Sequence, residues 1–285
     1  MTSTSTSTST SDRETGTPCA RGRIHSLPYR PSFARVSGVA SKVTMAYLVA
    51  AEAVLGERYE PAAATAVPVR VRELGGTVWL RPRSRDRAAL EFLHAGHHLP
   101  PAGLEPPVRH VAVFGAHIGL LAADLAARYP QARVLGVEAD HDNAVLARRN
   151  LARFGRRCTV RETAAWHEDG TLSLGWEPDA WGQILGGPGP RDGAASAARP
   201  ATAVDAAALL ADFAGSQPVD YLLVNIETAW HEMLRHGQWA ANVRCIKVEI
   251  QDHYDEAVPL LEALGYRARL HRLDWGAFVT GVRPS

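Results

Sequence analysis

Between residues 108 and 282 the sequence alternates short runs of Val, Leu, Ile and Ala with longer stretches of helical period. A run such as Val111-Ala112-Val113-Phe114 shows no polar alternation, so it suits a strand covered on both faces. Strands of that kind separated by helices leave few architectures, the simplest being a parallel sheet with helices on both sides. The pattern predicts strands over 108–114, 132–137, 159–163, 220–226, 245–250, 267–272 and 277–282. It predicts helices over 118–128, 141–154, 204–213, 229–236 and 254–264. The last two strands are joined only by residues 273–276, too short for a crossover helix, so they pair antiparallel at the sheet edge. The expected fold class is α/β, a doubly wound, mostly parallel seven-stranded sheet with a terminal antiparallel hairpin.

The first third reads differently. Residues 1–20 begin with a Thr/Ser repeat that has too little apolar surface to order itself, and are expected to be a disordered tail. Over 41–57 a helix is predicted, with Val43, Ala46, Tyr47, Ala50, Ala53 and Val54 as its apolar stripe. A strand pair over 67–71 and 77–80 turns at Gly75-Gly76, and a helix over 84–95 opens at Ser84. Residues 21–107 are expected to form a cap region, and 108–285 the main α/β domain, which would carry any catalytic site. Within the latter, 182–200 is a Gly/Pro/Ala stretch without periodicity, expected as a long loop able to close over a substrate.

Composition narrows the partners. The formal net charge is +1 and the arginines are interleaved with acids, so no basic face for nucleic acid is expected. Cys19, Cys158 and Cys245 are odd in number and far apart, which argues against a disulfide framework or a zinc site. The longest apolar stretch, 45–55, carries Glu52 and is too short to span a bilayer, and no signal pattern opens the chain. A cytoplasmic protein acting on a small molecule is expected, with a second copy of the chain as a candidate partner.

The chemistry-bearing motif is the exit from the first strand of the sheet. In Phe114-Gly115-Ala116-His117-Ile118-Gly119 glycines stand where the backbone must turn sharply and approach a ligand. The spacing is G-x-x-x-G, whereas a dinucleotide pyrophosphate is held by G-x-G-x-x-G. Val134-Leu135-Gly136-Val137 then ends in Glu138, a carboxylate placed to accept hydrogen bonds from a ribose diol. Either feature alone is as often structural.

Taken in order, these motifs resemble the FkbM family of S-adenosylmethionine-dependent methyltransferases over roughly residues 70 to 282. Val113 to Gly119 is similar to the family's D-V-G-A-N-I-G, and Glu138-Ala139-Asp140 to its strand-end E-P, with Asn143 and Asn150 placed as in its following helix. Thr163-Ala164-Ala165-Trp166 through Asp169-Gly170 resembles its A…D-G turn before a short hairpin. Residues 201–209 resemble T-x-x-L-D-x-L, and residues 222–234 resemble L-K-I-D-V-E-G-A-E-x-x-V-L, with Glu249 on the next strand. The resemblance implies a Rossmann-like class I methyltransferase fold and S-adenosylmethionine as cofactor. It implies a cofactor site of Phe114, Gly115, Ala116, His117, Gly119, Glu138, Ala139, Ala165, Trp166 and Asn225, and O-methylation of a natural product or sugar. The departures are Val113 and Asn225 for acids, Thr228 for glycine and Trp230 for a second acid. They leave open a methyltransferase-fold protein that transfers no methyl, such as a binding subunit, cyclase or isomerase.

Methylating a hydroxyl requires a base. Glu227 and His231, four apart, share a face if the helix has begun, which makes His231 the candidate base and Glu227 its orienting or substrate-binding partner. No metal site is expected. His94, His97 and His98 lack a completing carboxylate and read as a substrate-facing or surface cluster, while Glu249, Asp252 and His253 form a polar group at the carboxyl edge of the sheet. Trp166, Trp176, Trp181, Trp230 and Trp239 fall around the expected mouth, as core or as aromatic wall.

Overall fold

The computed structural model describes residues 35–55, 62–102, 104, 107–176, 183–186, 199–274 and 276–284, with side-chain detail at all but 176 and 183–186. The expected tail and most of the 182–200 stretch lie outside them.

The cap comprises α1 (Val39–Leu55), the hairpin β1 (Val67–Val71) and β2 (Gly76–Leu80), and α2 (Asp86–Ala95). After it come β3 (His110–Phe114), α3 (Leu120–Arg128), β4 (Arg133–Glu138), α4 (His141–Leu151), β5 (Cys158–Glu162), β6 (Ala164–Trp166), β7 (Gly170–Trp176), β8 (Gln183–Gly186) and β9 (Arg199–Asp205). The chain continues through α5 (Ala206–Ala214), β10 (Val219–Val224), α6 (Trp230–Arg235), β11 (Val243–Ile250), α7 (Tyr254–Ala263), β12 (Arg267–Leu273) and β13 (Gly276–Val282).

Seven strands form the main sheet in the order β12-β13-β11-β10-β3-β4-β5. β10 runs parallel to both β11 and β3, and β3, β4 and β5 are parallel, while β13 is antiparallel to β11 and β12. The expected fold is therefore observed, hairpin included. Strand order reverses between β3 and β10, and the crevice beyond the carboxyl ends of those two strands is where open α/β sheets take ligands.

Strand alternation explains the unbroken apolar runs. Val111, Val113, Tyr221 and Leu223 face one core, with α3 and the cap, whereas Ala112, Phe114, Leu222 and Val224 face the other, with α5, α6 and α7. Met45, Leu48, Val69, Val78, Leu80 and Leu90 of the cap belong to the same buried cluster as Val111 and Val113.

Three expectations are corrected. In α1 the buried residues are Met45, Leu48 and Ala51, while Val43 and Tyr47 of the expected stripe are exposed. Ala46, Ala50, Ala53 and Val54 are exposed too. The helix carries two apolar stripes, and tertiary packing buries the one that holds Met45 and Leu48. Second, the 182–200 stretch is not simply a loop: β8 and the start of β9 lie within it and join β6 and β7 in a four-stranded sheet of order β6-β9-β7-β8. Strand β9 reaches Asp205, whose side chain accepts the Ala207 amide at 2.9 Å, so the following helix begins two residues later than predicted.

The third concerns the histidines. His98 is wholly buried with Nε2 2.7 Å from Asp124, and His97 packs between Phe92 and Phe278. The Tyr221 hydroxyl donates to the His98 carbonyl at 2.7 Å and the Lys247 ammonium to that of Leu99 at 3.0 Å. His97, His98 and the Leu99 carbonyl clamp the cap to the sheet, while both ring nitrogens of His94 and Nδ1 of His98 are buried without a hydrogen-bond partner. No helix among the described residues is long and apolar enough to cross a membrane.

Candidate functional site

A cavity of about 950 Å³, counting its open mouth, lies at the reversal of strand order. Its walls come from the turn after β3 (Gly115, Ala116, His117), the end of β4 (Val137, Glu138, Ala139), the approach to β6 (Thr163, Ala164, Ala165), and the segment after β10 (Asn225, Ile226, Glu227). Glu249 closes one end, and Phe92 of the cap and Leu174 of β7 supply apolar wall.

Close backbone contact forms the turn. The amides of Gly115 and Ala116 both donate to the Val137 carbonyl, at 3.0 and 2.9 Å, and the Asn225 amide donates to the Phe114 carbonyl at 2.9 Å. Gly115 has φ +75°, and a Cβ there would fall 1.7 Å from the Asn225 carbonyl oxygen, so only glycine fits. Gly119 (φ +81°) lets α3 approach α4, where a Cβ would meet Ala147 at 3.0 Å. It serves helix packing and does not line the cavity. Phe114 likewise points into the core and is fully buried.

Glu138 is the hub. One carboxylate oxygen accepts the His117 amide at 2.7 Å and the other the Asp140 amide at 3.0 Å. Burial nevertheless pushes its pKa up to about 7, against those hydrogen bonds. His117 sits at φ 50°, a conformation that side chains adopt rarely, and burial pushes its imidazole down to about 4, so it is neutral at pH 7. Its ring lies 3.7 Å from Asp86.

Asp86 belongs to a buried network that sequence reasoning missed. Arg81 binds it through Nε at 2.9 Å and Nη2 at 2.7 Å, and the same Nη2 donates to Asn143 at 2.7 Å. Arg81 and Asp86 are 5% and 0% exposed, so the pair had to be satisfied completely to be buried at all. The only hint was the acid two residues after Ser84, which reads as an ordinary helix start. Asn150 works the same way: it accepts the Trp79 amide at 2.7 Å and donates to the Ile118 carbonyl at 2.8 Å, holding the cap hairpin against the glycine turn.

The opposite end is acidic. Glu227 opens a short 3-10 turn after β10 with φ 52° and is 9% exposed. Glu249, at the end of β11, is 3% exposed, and its Oε2 has no hydrogen-bond partner, while Oε1 accepts from Gln251 at 3.3 Å. Burial and then the charge of Glu227 push Glu249 up to about 8.

Of the residues expected at the site, Gly115, Ala116, His117, Glu138, Ala139, Ala165, Asn225 and Glu227 are brought to one cavity. Phe114, Gly119, Trp166 and His231 are not among its lining. The pairing of His231 with Glu227 is not formed: His231 Nε2 lies 2.9 Å from Glu256 and its ring stacks on His253 at 4.4 Å. The left-handed backbone at Glu227 and a 3-10 turn delay the helix to Trp230, so the two do not share a helical face. Trp230 and Trp239 are core, and their indole N–H groups donate to Asp252 and to the Met233 carbonyl. Trp181 and the side chain of Trp176 lie outside the described residues. Two clusters outside the cavity lining, His231-His253-Glu256 and His167-Glu232-His236, have ligand atoms within 4.8 Å of one another and the donor types that bind divalent transition metals.

No family model matches the sequence, and no curated protein matches it. Solved structures do. The precorrin-6y C5,15-methyltransferase from Geobacter metallireducens is 13% identical, with a TM-score of 0.41 over 68% of this chain and 88% of that one. The magnesium protoporphyrin IX methyltransferase from Synechocystis PCC 6803, with bound S-adenosylmethionine, is 14% identical, with a TM-score of 0.37 over 69% and 77%. An O-methyltransferase family protein from Burkholderia thailandensis is 12% identical, with a TM-score of 0.44 over 70% and 57%.

Proposed function

We propose that this chain is an S-adenosylmethionine-dependent methyltransferase that methylates a hydroxyl group of a small natural product or sugar. The observation that carries the reading is Glu138, buried at the end of β4 beside a glycine turn that no side chain could replace at Gly115, in the crevice where strand order reverses. Glu138 Oε2 accepts only the His117 amide and retains a lone pair, while Oε1 accepts the Asp140 amide and, at 3.5 Å, the Asn143 side chain, so the carboxylate suits a ribose hydroxyl without dismantling the turn. Ala164 and Ala165 offer a flat apolar surface for the adenine, and the backbone around Gly115 and Asn225 offers carbonyls for the amino-acid end. The residues present thus fit the cofactor, which when bound would supply an electrophilic methyl group.

The chain's own part is to bind, to exclude water and to take a proton. Phe92, Leu120, Leu121, Leu174 and Ile226 keep the cavity apolar around its few polar groups. His231 is engaged with Glu256 outside the cavity lining, so Glu227, which does line it, is the base of this proposal. A second reading, a protein of this fold without methyl transfer, is favoured by Val113, which is wholly buried in the apolar core and supplies no carboxylate for the cofactor amine.

Calorimetric titration with S-adenosylmethionine and S-adenosylhomocysteine tests the proposal. Saturable binding of both is expected; a folded protein that binds neither would refute methyl transfer.

A further inference from the structure

The polar lining of the cavity is lopsided. Three carboxylates line it, Glu138, Glu227 and Glu249, and no lysine or arginine does among the described residues. Glu138 already accepts two backbone amides, so neither of its oxygens lacks a donor. Glu249 differs: more than nine-tenths of it is buried, it lines the cavity, and its Oε2 meets no donor. A buried carboxylate oxygen without a donor is costly, and a second acid beside it makes the cost larger. A bound cation that donates a hydrogen bond would remove both penalties at once.

We infer that the Glu227–Glu249 end of the cavity is a subsite for a protonated amine, with Glu249 Oε2 as its principal acceptor. An organic cation fits better than a hard metal ion. Magnesium and calcium require six or more oxygen ligands in a hydrated shell, whereas the walls here include Phe92, Leu174 and Ile226. An ammonium on a carbon skeleton meets the acids with its charge and the apolar wall with its methylenes, and the Phe92 ring adds a further cation-attracting face. Two ligands carry such an amine: the amino-acid end of the cofactor and an amine-bearing acceptor such as an amino sugar. The first source rests on the methyltransferase reading, and the second does not.

Matched probes separate the possibilities. S-adenosylhomocysteine is compared with 5′-methylthioadenosine, which keeps the nucleoside and lacks the amino acid. 2-Phenylethylamine is compared with 2-phenylethanol, with and without S-adenosylhomocysteine present. Each is titrated against the full chain and its Glu249→Gln variant, which keeps the shape and removes the charge.

The expected result is that the variant binds at least one amine about tenfold or more weaker, while the amine-free partner changes by less than about twofold. Loss confined to S-adenosylhomocysteine names the cofactor amine; loss confined to phenylethylamine names the acceptor. Glu227→Gln, tested beside it, shifts the same ligand in the same direction. The inference is overturned if neither amine binds the natural chain, if the variants bind both amines unchanged, or if the acids respond to Mg²⁺ with no preference for an amine. Failure of both nucleosides to bind would instead remove the methyltransferase reading, leaving the phenylethylamine pair to decide this one.

Discussion

The two ends of the cavity hold buried glutamates in opposite states of satisfaction. At the Glu138 end both carboxylate oxygens accept backbone amides, and the surrounding Arg81, Asp86 and Asn143 are bonded to one another. At the Glu249 end an oxygen is left without a donor and a like charge stands nearby. Both carboxyls titrate high, to about 7 and about 8, but the first does so despite its hydrogen bonds and the second with help from Glu227. A satisfied buried acid holds a backbone in shape before any ligand arrives, whereas an unsatisfied one is stabilised by whatever completes it.

The strongest way to break this contrast is at the satisfied end. Arg81→Leu strands the fully buried Asp86 without its ion-pair partner and is expected to cost about 3–5 kcal/mol in urea unfolding. An unchanged midpoint would show that the network is not holding the cap. Gly115→Ala is expected next, since its methyl group would overlap the Asn225 carbonyl: a loss of S-adenosylhomocysteine affinity of at least about 1.4 kcal/mol, tenfold, by calorimetry.

At the other end the effect lies in pH dependence. Glu249 has a raised folded pKa, so between about 4.5 and about 8 the folded state holds more protons than the unfolded one, and this group's contribution to stability falls as pH rises through that window. Glu249→Gln removes that slope and should be more stable than the natural chain at pH 8, with the advantage shrinking toward pH 4.5. Glu138 contributes a slope of the same sign that ends near pH 7 and survives in the variant. Equal pH profiles for the two proteins would contradict this account. Smaller again, His231→Ala removes a contact with the half-exposed Glu256 and ring contacts with His253 and Trp230, and is expected to cost less than about 1 kcal/mol while leaving S-adenosylhomocysteine affinity intact. Smallest is Val43→Lys on the exposed stripe of α1, with a change in unfolding free energy within about 0.5 kcal/mol.

Legibility in the sequence followed the range of the forces involved. The glycine turn and Glu138 could be found because a strand exit and a strand end are local events, and their spacing along the chain is their spacing in space. Arg81, Asp86 and Asn143 could not, since the third partner arrives from another element and only burial shows that the ion pair matters. The expected Glu227–His231 pair failed for a local reason, a positive φ at Glu227 that residue type did not announce. Glu249 is legible in the sequence as part of a polar group at the sheet edge, but its missing donor is a property of the packed cavity.

The amino-acid sequence by itself determined the parallel sheet, its terminal hairpin and the crevice at the glycine turn, because hydrophobic period, link length and the steric freedom of glycine act within a few residues. Tertiary structure alone decided which stripe of α1 is buried, that His97 and His98 clamp the cap, and which buried acid is left waiting for a donor. Those outcomes depend on which surfaces meet. Desolvation is set by neighbours distant in sequence, and it turns an ordinary glutamate into a hub at one end of the cavity and an open acceptor at the other.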